Sequence, residues 1–277
     1  MDTSPLRIGY CLSLSGALAS NGKTARLAHQ IWQERVNTNG NLLGRSVELV
    51  CLDDQTNPKF VADIYQRLLD VEKVDVVVGG YGDNSVAPAM PLIMERRRFF
   101  LGLMALAVNA KFNYPQYFVM IPTGPHPNLA LTEGFFQIAG QQNPKPKTVA
   151  ILVADAPSRK ARLTESRRIL DGKACGSSSK ASPLSTTDFT PYMEDLKKIN
   201  PDVLFFCSYI NDSIRLIKAM NAAGLSPKLV GGAMIGPQNG IVKAELGALL
   251  NGLVNYEYWL AVPSLINPEI QSLIATY

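Results

Sequence analysis

The sequence predicts an α/β protein of two successive units, each a mostly parallel sheet with helices on both faces. Three observations lead there. Residues 7–121 alternate short apolar runs with helical patterns in a βαβαβαβ series, which requires parallel strands joined by crossovers. The run Val74–Val78 is apolar without alternation, as in a strand buried on both faces. A second alternation begins at Thr148, beyond Pro122-Thr123-Gly124-Pro125-His126-Pro127, a passage too rich in proline to be helical.

In the first unit, Arg7–Leu12 reads as a strand. Thr24–Val36 is helical, with Ala25, Ala28, Ile31, Trp32 and Arg35 three or four apart, and Gly40 and Gly44 stop it. Val47–Leu52 is the next strand, and the turn residues Asp53, Asp54 and Asn57 lead to Pro58, a good first helical residue. Val61, Ile64, Tyr65 and Leu68 then form an apolar stripe. After Val74–Val78 the chain enters a glycine-rich turn, Gly79-Gly80-Tyr81-Gly82, and a helix is expected from about Ser85 to Arg96, bent by Pro91. Phe99–Leu101 and Tyr117–Ile121 complete this series.

In the second unit, a helix from about Leu129 to Ala139 precedes the strand Thr148–Val153. Asp188–Ile199 is helical, Val203–Cys207 a strand, and Asp212–Ala223 a helix closed by Gly224. Lys228–Val230 is a strand, a short helix lies near Ile241–Leu249, and Leu253–Trp259 is a last strand. Asp155–Ser182 interrupts the series. It holds no β-branched run of strand length, and reads either as a solvated excursion or as a stretch altered at the level of the coding DNA. Beyond Pro263 a helix begins at Pro268, with Ile270, Leu273 and Ile274 on its apolar side and little to cover them. The expected lobes are residues 1–122 with 260–277, and residues 123–259.

Composition narrows the function. With 47% apolar and 18% charged residues the chain is globular, not disordered. No apolar run reaches membrane-span length. Met1-Asp2-Thr3-Ser4-Pro5 shows no signal-peptide pattern, which leaves a cytosolic protein or a mature form as expectations. The net charge of +4 is local: residues 155–185 hold seven Lys/Arg and three Asp/Glu, and the rest of the chain has twenty of each. A nucleic-acid-binding face is therefore not expected. Cys11, Cys51 and Cys207 lie in or beside apolar strand runs, as buried thiols do. With two histidines, His29 on an exposed helix face and His126 in the crossover, there is no metal-ligand spacing, and no metal or cofactor is expected. No G-x-S-x-G, H-E-x-x-H or P-loop spacing occurs, so no catalytic residue is assigned.

The most informative stretch is Val76–Ser85. In an open α/β sheet, ligands sit where strands end and helices begin. Helix starts there present free N–H groups and a positive dipole end. Asp83, Asn84 and Ser85 form such a start and are candidate ligand contacts, although Asp83 and Asn84 fit turn and cap positions equally well.

Several motifs, in order and spacing, resemble type I periplasmic binding proteins, the family serving branched-chain amino-acid and aromatic-acid ABC importers. They are Leu12-Ser13-Leu14-Ser15-Gly16 with Gly22, Asn37-Thr38-Asn39-Gly40, Asp53-Asp54-Gln55-Thr56-Asn57-Pro58, the Gly79–Pro91 junction, Ser185–Pro191, and Asn221-Ala222-Ala223-Gly224-Leu225. The resemblance implies two Rossmann-like lobes with a ligand cleft between them. It places ligand contacts at Asn21, Asp83, Asn84, Ser85, Ala105, Leu106 and Ala107 in the first lobe, and at Pro157, Ser158, Tyr209, Ala233 and Met234 in the second. It implies a periplasmic, non-enzymatic protein with two kinds of partner: a small ligand (a branched-chain or other amino acid, or an aromatic carboxylic acid) and the permease subunits of an ABC transporter. It also implies that relatives run on past Tyr277. In amino-acid binders of this family an acid in the loop after the strand ending near Val230 takes the α-ammonium. Here that loop is Gly231-Gly232-Ala233-Met234-Ile235, which favours an aromatic or other apolar acid. A cytoplasmic ligand-sensing regulator of the same fold is the alternative.

Overall fold

A computed structural model describes residues 4–105, 108–120, 127–154, 176–183, 186–257 and 261–277, with the backbone alone for 127–131 and 176–179. The chain divides into two compact units, Met1–Pro122 with Leu260–Tyr277, and Thr123–Trp259.

The first unit holds β1 (Leu6–Leu12), β2 (Val47–Asp53), β3 (Val76–Tyr81), β4 (Phe100–Leu103) and β5 (Tyr117–Val119). They form one parallel sheet in the order β2-β1-β3-β4-β5. Helices α1 (Ala19–Thr38) and α2 (Pro58–Asp70) make the first two crossovers. Cys11, Val77, Phe100 and Tyr117 point to one face and are covered by Val61, Tyr65, Leu68, Met90 and Ile93. Asn57 caps α2 by accepting from the Lys59 N–H at 3.1 Å, with Pro58 in the first turn as expected.

Glycine at 79 and 80 does not make the expected turn. Strand β3 runs through both residues to Tyr81, and only Gly82, at φ +86°, leaves the region open to other residues. The glycines are there for close approach: a Cβ on Gly80 would fall 2.5 Å from the Ser85 Cβ and 2.8 Å from the Cys11 carbonyl oxygen. The single helix expected over Ser85–Arg96 is three short pieces, α3 (Asp83–Val86), a 3₁₀ turn (Ala87–Ala89) and α4 (Met90–Glu95), and one further turn, α5 (Asn109–Phe112), precedes β5. Pro88 and Pro91 each lack an N–H for the helical ladder, which fragments it.

His29 is not on an exposed face. Helix α1 starts five residues earlier than the periodicity indicates, and His29 lies half-buried, edge-on to Tyr10 with ring centroids 4.7 Å apart. Burial lowers its pKa. The last helix of this unit, Pro268–Thr276, leaves Leu273 and Ile274 42% and 49% exposed.

The second unit holds β6 (Thr148–Ala154), β7 (Gly176–Ser182), β8 (Val203–Cys207), β9 (Leu229–Gly232) and β10 (Leu253–Asn255), all parallel, in the order β10-β9-β8-β6-β7. Its helices are α6 (Pro127–Gly140), α7 (Thr190–Ile199), α8 (Ile210–Ala222) and α9 (Gly240–Leu246). Both faces of the sheet are covered. Val203, Phe205 and Cys207 meet Phe135 and Phe136 of α6, while Leu204 and Phe206 meet Met193 of α7 and Ile217 of α8.

Part of the anomalous stretch is a strand after all. Gly-Ser-Ser-Ser-Lys-Ala-Ser pairs along its whole length with β6, from Thr148↔Gly176 to Ala154↔Ser182. As an edge strand it needs main-chain groups on one side only, and strand preference is set by surroundings more than by residue type. Residues 155–175 lie outside the described residues, as do the crossover 121–126 and the end of the strand expected to reach Trp259.

Candidate functional site

In each sheet the strand order reverses direction once. From β1 the chain goes to β2 on one side and then to β3 on the other. From β6 it goes to β7 and then to β8. The carboxyl ends of β1 and β3, and of β6 and β8, are therefore the switch points where open sheets bind ligands.

At the first switch point the motifs Leu12–Gly16 and Asp53–Asn57 lock into each other. The Asp53 carboxylate accepts from Leu14 N–H at 2.8 Å, Ser15 Oγ–H at 2.7 Å and Gln55 N–H at 2.8 Å. Partial burial opposes its charge, yet the Ser15 hydroxyl and these N–H groups hold its carboxyl below the usual range. Thr56 Oγ1 donates to the Ser15 carbonyl at 2.8 Å and accepts from Leu18 N–H at 3.1 Å. Gly16 sits at φ +79°, and a Cβ there would lie 2.6 Å from the Gln55 carbonyl oxygen. These motifs build the scaffold on which the site rests.

Beneath them lies Asp54, 1% exposed. Its Oδ1 accepts from Ser13 Oγ–H at 2.5 Å and Thr56 N–H at 2.9 Å, and its Oδ2 from Ser85 Oγ–H at 2.7 Å. The Cys11 thiol lies 3.7 Å from Oδ2. Burial, followed by the Asp54 charge, pushes that thiol up far above its ordinary value, which disfavours the thiolate. One buried carboxylate thus ties together the ends of β1, β2 and β3 through neutral donors.

Asn21 is buried in α1 beside Gly22, where a Cβ would fall 2.1 Å from the Ser13 carbonyl oxygen, so the helix backbone lies directly on the Ser13 loop. Asp83 and Ser85 are buried in the four-residue α3, and Asn84 is half-buried between them. The Ser85 N–H reaches the Gly82 carbonyl at 3.2 Å. Ala105 is fully buried, and its carbonyl accepts from the Tyr117 hydroxyl at 2.9 Å. Asp83 follows the end of β3, and burial and, after it, the Asp83 charge raise the Tyr117 pKa. Leu106 and Ala107 lie outside the described residues.

At the second switch point, Tyr209 is buried and extended at the start of α8. Ser213 donates to the Tyr209 carbonyl at 2.7 Å, so the Ser208 hydroxyl, 2.8 Å away, donates to Ser213. Ser213 Oγ also takes the Gly236 N–H at 3.2 Å. Ala233 is buried with its N–H on the Phe206 carbonyl at 2.9 Å. Met234 is fully buried in the core, and its main chain is clasped by Asn255, with N–H to Oδ1 and Nδ2–H to carbonyl both at 2.9 Å. Its backbone, not its side chain, lines this end. Pro157 and Ser158 lie outside the described residues.

Sequence reasoning passed over two residues as site components, Ser13 and Asp54, both buried at the first switch point. The signal for Asp54 was the doublet Asp53-Asp54 before a helix, which admits a turn reading for both. Among the described residues, no group of three or more His, Cys, Asp or Glu could hold a metal ion. No helix there is long and apolar enough to cross a membrane.

The profile of a family described as periplasmic binding protein matches residues 5–277. No curated protein matches significantly. Among solved structures, the chain is similar to an ABC-transporter solute binding protein from Rhodopseudomonas palustris BisB5 in complex with 3,4-dihydroxybenzoic acid (19% identity, TM-score 0.80, 100% of this chain and 74% of that one). It is similar also to the branched-chain amino acid transporter substrate binding protein LivJ from Streptococcus pneumoniae in complex with isoleucine (16%, 0.80, 99% and 76%). A third is the leucine binding protein LivK from Thermotoga maritima (16%, 0.81, 98% and 75%). At such identities the likeness speaks for the fold, two parallel-sheet α/β lobes, while the profile match covers nearly the whole sequence. The chain belongs to the periplasmic binding protein family and has the two-lobe type I fold of these solved structures.

Proposed function

We propose that this chain is an extracytoplasmic solute-binding protein that captures a small amino-acid-like or aromatic carboxylate ligand and delivers it, unchanged, to the permease subunits of an ABC importer. Asn21, Asp83, Asn84, Ser85 and Ala105 of the first unit and Tyr209, Ala233 and Met234 of the second contribute to the contact surfaces, with Leu106, Ala107, Pro157 and Ser158 extending them. The observation that carries this reading is that these residues, where described, gather at the carboxyl ends of two parallel sheets, at or next to their switch points. The hydrogen bonds around Asp54 and Ser213 prearrange both ends, which lowers the entropy lost on capture. The loop Gly231–Ile235 carries no acid for an α-ammonium, and solved structures of this fold hold a dihydroxybenzoic acid as well as isoleucine.

A thermal-shift screen of amino acids, hydroxybenzoates and cinnamates tests the reading. A saturable rise in melting temperature with at least one class is expected, with the compound recovered intact after incubation. Chemical conversion of the stabilising compound would overturn the non-enzymatic reading. Stabilisation by free amino acids alone would overturn the inference from the missing acid.

A further inference from the structure

Strand β9 ends on Gly231 and Gly232, which have no side chains to anchor the loop that follows. A Cβ on Gly231 would fall 1.6 Å from the Val254 carbonyl oxygen, so β10 lies directly against this strand end. The ladder between the two strands closes at Asn255↔Gly232. From there the Asn255 side chain takes over. Its Oδ1 accepts from the Met234 N–H and its Nδ2–H donates to the Met234 carbonyl, both at 2.9 Å. A side-chain amide carries the same kinds of donor and acceptor as a peptide unit, so it serves as one more rung. A main-chain N–H only donates, which fixes the orientation of this amide. Its other Nδ2 proton goes to the Tyr256 carbonyl at 3.1 Å.

Tyr256 and Glu257 are tied to the same region. The Tyr256 N–H donates to the Gly232 carbonyl at 2.9 Å, and its carbonyl also accepts from Gln238 Nε2–H at 2.6 Å. Glu257 pairs with Lys243 of α9 at 2.9 Å. Two residues later, between Trp259 and Leu260, the chain passes to the first unit. The flanking N–H groups of the loop go the other way, to the end of β8: Ala233 to the Phe206 carbonyl at 2.9 Å and Ile235 to the Ser208 carbonyl at 3.0 Å. The bonds of Asn255 are thus the ones that join Met234 to the exit segment, residues 253–257. We propose that Asn255 positions the Ala233–Ile235 loop and couples it to this exit segment, so that a displacement of the loop by ligand is carried to where the chain leaves the second unit. The inference rests on the capture reading for the loop's role as a ligand contact.

Hydrogen–deuterium exchange of the full chain tests this without a ligand. In Asn255→Ala, exchange over 233–236 and over 253–257 should quicken together by about fivefold or more, the size of one net hydrogen bond, while β6 and β8 keep their protection. Asn255→Asp supplies a pH profile that a purely structural role would not produce, and serves if the alanine variant misfolds. At about pH 8 its carboxylate faces the Met234 and Tyr256 carbonyls with no proton to give, so protection should be lost. At about pH 4.5 the protonated acid donates again, and protection relative to the wild type at the same pH should return. Calorimetric titration with 4-hydroxybenzoate and leucine should show affinity falling by about fivefold or more in the unprotected variants, for whichever compound the wild type binds. Protection unmoved in both variants, lost over 233–236 alone, or lost equally over β6 and β8 would overturn the coupling. Affinity unmoved where protection is lost would overturn the positioning role. Binding of neither compound by the wild type would count against the capture reading instead, with the exchange data still deciding the coupling.

Discussion

Replacing Asp54 tests the organisation of the first switch point most directly. In Asp54→Ala, the Ser13 hydroxyl, the Ser85 hydroxyl and the Thr56 N–H lose their acceptor together. Asp54 is 1% exposed and Ser13 and Ser85 are 2% and 3% exposed, so water does not readily replace it. An orphaned buried donor costs about 1–3 kcal/mol. Hydroxyls can turn toward other acceptors, and the lost carboxylate no longer has to be desolvated, so the total should lie near 3–5 kcal/mol. Asp54→Asn is milder. Its amide oxygen can keep Ser13 and Thr56, and its NH₂ would face Ser85, which must then accept and turn its own proton away. A loss of about 1–2 kcal/mol follows. Urea unfolding followed by Trp32 fluorescence in a Trp259→Phe background reads the first unit, and midpoints can be compared where m is unchanged. A loss below about 1 kcal/mol in Asp54→Ala would refute the claim that this carboxylate is a dry structural hub.

Three further outcomes follow from particular contacts. Gly80→Ala should destabilise the first unit by about 1–3 kcal/mol, because the new methyl falls 2.5 Å from Ser85 Cβ and 2.8 Å from the Cys11 carbonyl; an unchanged urea midpoint would contradict the close-approach account. On acidification, Asp202, held low first by Lys228 at 2.8 Å and then by the Lys147 N–H, contributes stability that is present above its ordinary value of 3.8 and lost as pH falls through its lower folded value. Asp202→Asn should therefore flatten the acid limb of the pH–stability curve, and an unaltered limb counts against it. Tyr209→Ala should weaken whichever ligand is found by about tenfold or more, and Tyr209→Phe by less, as measured by titration calorimetry; equal losses would place the effect in the hydroxyl rather than the ring.

Much of the architecture was legible because parallel sheets leave a strong pattern. Val203–Cys207 is apolar at every position since α6 covers one face and α7 and α8 the other, and its bounds in the structure are those expected. The misreadings share a cause. Gly79 and Gly80 look like a turn, yet in β3 they make room for Ser85 and the backbone of β1. The serines of β7 lack strand preference, yet β6 offers them a full ladder. In both cases a neighbour distant in sequence decides what the local residues do.

The same division runs through the site. The order of strands, helices and glycine-rich junctions, and with it the family, was contained in the sequence alone, because burial patterns and turn chemistry are local in the chain. The hydrogen bonding inside the site was not. Ser85 reads as a candidate ligand contact, and its hydroxyl proton goes to Asp54, 31 positions away. Which way a hydroxyl donates depends on the acceptor beside it, and only the folding of β1, β2 and β3 into one sheet brings that acceptor within 2.7 Å.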